Sequence, residues 1–207
     1  MNHLDQLQQG VQSLGLNAND GQIRDLLKFV ELLKKWNKVY NLTALKTEKE
    51  FLELHILDSL TITSHVENSI NVLDVGSGAG LPGIPLAIML PNVNFVLLDS
   101  NIKKTRFIQQ AIIDLKLSNC SVVHERIESF SPDKKFDTIT TRAFAEIKDT
   151  IEKLQHFSTN ELRILFMKSK SASEELKKLN ETYDTQCFTL SIPGLDVERS
   201  LVIVSGK

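Results

Sequence analysis

A doubly wound α/β fold on a mostly parallel sheet is what this sequence predicts, and three observations predict it. From Ile70 onward, short apolar runs alternate with helical stretches, the pattern of βαβ units. The first of those runs feeds directly into a glycine-rich turn, Gly76-Ser77-Gly78-Ala79-Gly80-Leu81-Pro82-Gly83, and then a helix. The chain closes with two strand-like runs joined by Pro193-Gly194-Leu195-Asp196, turn residues that predict an antiparallel hairpin at the sheet edge.

The composition narrows the class further. A chain of 207 residues suffices for one compact domain with a sizeable core plus a short extension. With 42% hydrophobic and 24% charged residues it reads as globular, and no apolar run has the length of a membrane span. Met1 to Gly10 is polar, without a secretory core. Cys120 and Cys187 lie far apart, which argues against a disulfide framework or zinc site and makes a reducing cytoplasm the expected compartment. The histidines do not cluster at metal-ligand spacing, so no metal is expected. A net charge of −2 gives no whole-chain basic field; any nucleic acid would be held by local patches.

Residues 1–69 read as helices, an N-terminal extension packed on a core formed by residues 70–207. Leu4, Leu7, Val11 and Leu14 share one helical face. Asn19 or Asp20 is placed to cap a second helix, with Ile23, Leu26, Leu27, Val30 and Leu33 as its buried stripe. Lys34, Lys35 and Lys38 near its end suit the helix macrodipole. Thr47 and Glu50 form a capping-box pattern opening a third helix through Phe51, Leu54, Leu57 and Leu60. Strands are expected at about 71–75, 94–98, 121–124, 136–140, 162–167, 185–192 and 199–204, with helices at 81–90 and 102–115 between the first three.

Glycine serves where a chain turns sharply and a ligand approaches its backbone, so the loop from Gly76 to Gly83 is read as a nucleoside-binding turn rather than a ligand-free bend. Gly78, Gly80 and Gly83 also spell G-x-G-x-x-G, the dinucleotide signature. Two features oppose that reading. Asp74 precedes the loop, placed to orient it or to meet a cationic amino-acid moiety, and the chain is too short for a second mononucleotide half plus a substrate domain. Gly76, Ser77, Gly78, Gly80 and Leu81 are therefore the candidate loop contacts. Asp99, at the end of the next strand, is placed to accept hydrogen bonds from both ribose hydroxyls or, with Ser100, to cap the following helix. Ile127 and Glu128 follow the third strand, where they either wall and edge a base or lie in a solvated loop. Arg142 ends near the fourth strand, where ligands of open α/β sheets collect; a cofactor carboxylate, a substrate phosphate and a plain surface role all suit it.

Lys103, Lys104 and Arg106 crowd the start of the helix after Asp99, where cations oppose the macrodipole at a cost of roughly 0.3–1 kcal/mol each. An anionic partner nearby would offset that cost. Lys168 and Lys170 follow the fifth strand and Arg199 opens the last, so these groups are expected to form a phosphate-binding rim on one sheet edge.

Taken in order, Trp36-Asn37-Lys38-Val39-Tyr40-Asn41-Leu42-Thr43, His55-Ile56-Leu57-Asp58-Ser59-Leu60, the loop from Asp74 through Leu81-Pro82-Gly83-Ile84-Pro85-Leu86, Leu97-Leu98-Asp99-Ser100, Arg142-Ala143-Phe144 and Glu198-Arg199 resemble the bacterial small-subunit ribosomal RNA methyltransferase G family, also called the glucose-inhibited division protein B family. The resemblance spans nearly the whole chain. It implies a seven-stranded, Rossmann-like class I methyltransferase and S-adenosylmethionine as cofactor. It further implies methylation of N7 of a guanine in the 530 loop of 16S ribosomal RNA (position 527), within the 30S subunit, by an enzyme expected to be a monomer. The family's cofactor positions fall on Gly76, Leu81, Ile127, Glu128 and Arg142, and its basic positions on Lys168 and Arg199. Leu54 stands where a basic residue is usual and Ser169 where a glycine is usual, which puts in doubt an RNA contact or close backbone approach there.

Guanine N7 carries an in-plane lone pair and no proton, so positioning and charge complementarity are the main requirements. No Asn-Pro-Pro-aromatic motif for an exocyclic amine and no Pro-Cys nucleophile for carbon attack is present. His55 and Asp58, three apart on one helix, are accordingly read as a pair packing helix against sheet and not as an acid–base couple. A methyltransferase for another RNA or a small molecule, a nicotinamide-dependent oxidoreductase and a silent nucleoside-binding module are the competing readings.

Overall fold

The computed structural model describes residues 2–143, 145–157, 159, 161–169, 172–177, 179 and 183–206. Lys170 and Phe144 lie outside them.

The N-terminal helices begin where their caps predict. Asn2 accepts the amide of Asp5 and opens α1 (His3–Ser13). Asn19 and Gln22 form a reciprocal capping box for α2 (Asp20–Tyr40), whose Ile23, Leu26, Phe29, Val30 and Leu33 are buried. Thr47 and Glu50 do the same for α3 (Glu48–Glu50).

Beyond α3 the chain departs from the regular helix expected there. Phe51–Leu57 winds as a π-helix before α4 (Asp58–Leu60) and α5 (Thr63–Val66). Six of its seven residues are buried, so the segment has no solvated face, and the wider turn spreads its side chains over neighbours on every side.

The sheet carries seven strands in the order β3-β2-β1-β4-β5-β7-β6: β1 (Asn71–Val75), β2 (Asn94–Asp99), β3 (Cys120–His124), β4 (Thr138–Arg142), β5 (Arg163–Lys168), β6 (Tyr183–Leu190) and β7 (Arg199–Gly206). β1 to β5 are parallel; β7 runs antiparallel to both β5 and β6. The terminal hairpin thus places its second strand inside and its first at the edge. β4 begins two residues later than its apolar run suggested, because the Asp137 carboxylate accepts the amides of Ile70 and Asn71 while Phe136 packs against Phe130 and Phe157.

Alternating strand residues divide the core. Val72, Phe95, Leu97, Leu165 and Ile203 face α1, α2, the π-helix, α6 (Gly83–Met89) and α7 (Ile102–Leu115). Val75, Leu98, Ile139, Phe166 and Val204 face α8 (Ile147–Leu154) and the segment from Ile127 to Phe136, with α9 (Ser173–Leu176) after β5. The N-terminal helices therefore share one core with α6 and α7. Among the described residues, no helix is long and apolar enough to cross a membrane.

Candidate active site

Strand order reverses between β1 and β4, and the crevice at their carboxyl ends is where the loop lies. Gly76, Gly78 and Gly80 all take positive φ, at 67°, 58° and 76°. Asp74 sits behind the loop, fully enclosed: its carboxylate accepts the Gly83 amide at 3.1 Å and the Thr140 hydroxyl at 3.2 Å. Of its two expected roles the structure shows the loop-orienting one, and burial pushes its carboxyl up to about 7. The Ser77 hydroxyl donates to the Asp74 carbonyl at 2.8 Å. Asp99 ties the loop to the second strand, accepting the Gly78 amide on one oxygen and the Asn101 amide on the other, both at 2.8 Å. Asn101, not Asp99 or Ser100, caps α7 by accepting the Lys103 amide.

Two cavities open along this edge. The smaller, about 320 Å³, is lined by Gly76, Asp99, Ser100, Lys104, Arg126, Ile127, Glu128 and, from α8, Lys153. Ile127 presents a buried apolar wall. Glu128 stands at the rim 3.5 Å from Lys153, its carboxyl held below the usual range by its own backbone amide first and by Lys153 as well.

The larger cavity, about 640 Å³, lies over β4 and β5 against the N-terminal helices. Arg142 and Lys168 end their parallel strands and Arg199 begins the antiparallel one, so topology brings all three cations to the same end of the sheet. Asp58, buried, accepts Arg142 at 2.8 Å on one oxygen and Arg199 at 3.3 Å on the other. Arg142 also donates to the Leu54 carbonyl on the π-helix at 3.2 Å. Its second terminal nitrogen stands 3.2 Å from His55 Nδ1. His55 Nδ1 also stands 3.2 Å from the Leu54 carbonyl, and Nε2 stands 2.9 Å from the Thr43 hydroxyl, so both ring nitrogens have partners. Burial, then the Arg142 charge, pushes His55 down to about 4. Lys168 is held by Glu175 and by the Ala145 carbonyl, each at 2.9 Å. Leu54 and Ser169 both line this cavity. The two cavities share one residue, Ala143, whose φ of 51° is left-handed.

The candidate residues thus divide. Gly76, Asp99, Ser100, Ile127, Glu128 and Lys104 converge on the smaller cavity; Arg142, Lys168 and Arg199 converge on the larger. Leu81 does not line either cavity: its side chain is buried in the core. Gly80 serves packing, since a Cβ there would come 2.8 Å from Ile84. Lys103 and Arg106 are exposed on α7, outside both cavities. Sequence reasoning missed Lys153, quoted Thr43 only within the segment that carries the family resemblance, and noticed Asp58 and His55 without seeing that they hold an arginine at a cavity wall.

The chain resembles solved structures at identities that speak to the fold alone. A putative O-methyltransferase from Klebsiella pneumoniae superposes with a TM-score of 0.63 at 12% identity, covering 95% of this chain and 94% of its own. A plantazolicin methyltransferase in complex with SAH gives 0.59 at 16%, covering 89% and 97%. A sheet of this order, closed by an antiparallel hairpin, is the Rossmann-like fold that these methyltransferase structures share. The family model for rRNA small subunit methyltransferase G matches residues 22–202, and a protein named ribosomal RNA small subunit methyltransferase G from Nitrosococcus oceani is 46% identical over 197 residues, 95% of this chain and 92% of that one. The chain belongs to this rRNA small subunit methyltransferase G family.

Proposed function

We infer that this protein transfers a methyl group from S-adenosylmethionine to N7 of a guanine in the 530 loop of 16S ribosomal RNA, acting in the cytoplasm on the small subunit. The smaller cavity suits the nucleoside part of that cofactor. Gly76 and Gly78 adopt backbone conformations that side chains rarely take, and a Cβ at Gly78 would reach into the space by the Lys104 ammonium. Ile127 offers a wall to an adenine ring, and Asp99 an acceptor at the end of β2, where a ribose belongs. When bound, the cofactor supplies an electrophilic sulfonium methyl.

One observation carries the choice of acceptor. Two groups in the larger cavity that could take a proton are already engaged: both ring nitrogens of His55 have partners and its pKa is pushed down to about 4, and Asp58 gives both oxygens to guanidiniums. Such a site favours an acceptor that brings its own lone pair and sheds no proton, as N7 does. Arg142 and Arg199 are then free to act by charge and hydrogen bonding toward the N7 and O6 edge or the neighbouring phosphate.

The test is methyl transfer from labelled S-adenosylmethionine to 30S subunits lacking the modification, to naked 16S RNA and to small acceptors, followed by mapping of the label. A single 7-methylguanine in the 530 loop is the expected product. Label on another base, on a small acceptor, or on none of these substrates overturns the reading.

A further inference from the structure

The segment Trp36-Asn37-Lys38-Val39-Tyr40 lines neither cavity, yet it ends in a cluster that folding alone does not explain. Val39 is 69% exposed, Tyr40 41% and, at the start of α7, Ile102 44%. Helix packing brings the end of α2, with Val39 and Tyr40, beside the start of α7. The Lys28 ammonium reaches the Asp114 carbonyl, and two turns along α2 the Trp36 ring meets Phe107 at 5.7 Å, so α2 and α7 run antiparallel. Tyr40 lies one turn beyond Trp36, with its ring 5.2 Å away, and Lys103 lies one turn before Phe107. In an antiparallel pair both steps lead the same way. They lead toward the sheet end where the cavities open, for Lys104 lines the smaller cavity and Thr43 the larger.

Lys38, Lys103 and Arg106 are exposed on these same turns, and the first turn of α7 carries no acidic residue. The helix dipole opposes a cation at the start of α7, so Lys103 does not serve helix stability, whereas Lys38 ends α2, where the dipole favours it. Aromatic and aliphatic surface interleaved with lysine and arginine is what an unpaired nucleotide requires: a face for the base and charges for its two phosphates. A protein partner would favour a surface depleted in lysine.

The geometry points to Tyr40, with Val39 next to it, as a stacking platform for an unpaired base of the RNA substrate, with Lys38, Lys103 and Arg106 on the adjoining phosphates. This rests on the reading that the protein methylates RNA, and it adds a contact outside both cavities.

Trp36, the sole tryptophan, reports on the site from within. Titration with an unstructured oligouridylate of about ten nucleotides should change its emission, and Tyr40→Ala should weaken binding about tenfold. Tyr40→Phe should bind as the unaltered protein does. Val39→Asp, at a position that touches little, should weaken binding by like-charge repulsion of phosphate without disturbing the core. S-adenosylhomocysteine affinity should be the same in all four proteins. Unchanged oligonucleotide affinity in both Tyr40→Ala and Val39→Asp, or binding with no change in Trp36 emission, overturns the proposal. So does loss of 30S affinity alone, since the patch would then meet a ribosomal protein. Methyl transfer to 30S subunits by the unaltered protein separates the two failures: if it proceeds while the variants behave normally, only the platform falls, and if it is absent the functional reading falls with it.

Discussion

The two cavities that meet at Ala143 are built in opposite ways. The smaller is bordered by a loop whose path is set by its backbone: Gly76 lines it, three glycines take positive φ, and two amides are fixed by buried carboxylates, Gly83 by Asp74 and Gly78 by Asp99. The larger is framed by side chains, with Asp58, His55, Arg142, Lys168 and Arg199 drawn from segments as much as 141 residues apart and locked by ion pairs. A backbone site holds its shape through local conformation, while a side-chain site holds it only as long as each charge keeps its partner. Substitutions in the two should therefore fail differently.

The largest effect is expected at Asp58. Asp58→Ala leaves Arg142 and Arg199 without their shared acceptor, and each charge-assisted bond lost is worth about 1.5–3 kcal/mol. Methyl transfer to 30S subunits should fall by on the order of a hundredfold or more, while calorimetry finds S-adenosylhomocysteine affinity within about twofold of normal. Coupled loss of both would show that the cavities are not separable. Asp99→Ala should do the reverse, weakening that cofactor product by roughly ten- to a hundredfold through loss of the Gly78 clamp and of the acceptor proposed for the ribose. Affinity for 30S subunits should be unchanged. A variant that binds cofactor normally would remove Asp99 from the site.

The smallest effect is a matter of pH. Asp74 has a folded pKa of about 7 against 3.8 for an ordinary aspartate, because burial disfavours its charge. The protonated folded form is thus favoured between those values: the contribution is complete below about 4 and is lost as pH rises through about 7. Asp74→Asn, which can still accept from Gly83 and donate to Thr140, should flatten the fall in stability over that window in urea unfolding. Parallel curves for the two proteins would contradict a buried, proton-binding Asp74.

This contrast also explains what could be read beforehand. The alternation of strands and helices, the glycine turn and the closing hairpin are local patterns, and each appears in the structure within a few residues of its expected place. Asp99 and Ile127 were legible because they follow strands at the sheet's carboxyl end. A position in a loop motif does not say whether a side chain faces the crevice or the core, and Leu81 sends its side chain to the core. The pairing of Asp58 with Arg142 and Arg199 was not legible, since it depends on how far the N-terminal helices reach over the sheet. The π-helix left no local mark, for a capping box and an apolar run are equally good starts for an ordinary helix.

That wide turn fixes the length of the chain between Thr47 and Asp58 as strictly as a spacer in a mechanical linkage. Were these same seven residues wound at ordinary helical pitch, everything beyond them would swing by about 100°. The Asp58 carboxylate would then aim away from both guanidiniums, so the pitch of this one segment decides where the charge that joins helices to sheet is delivered.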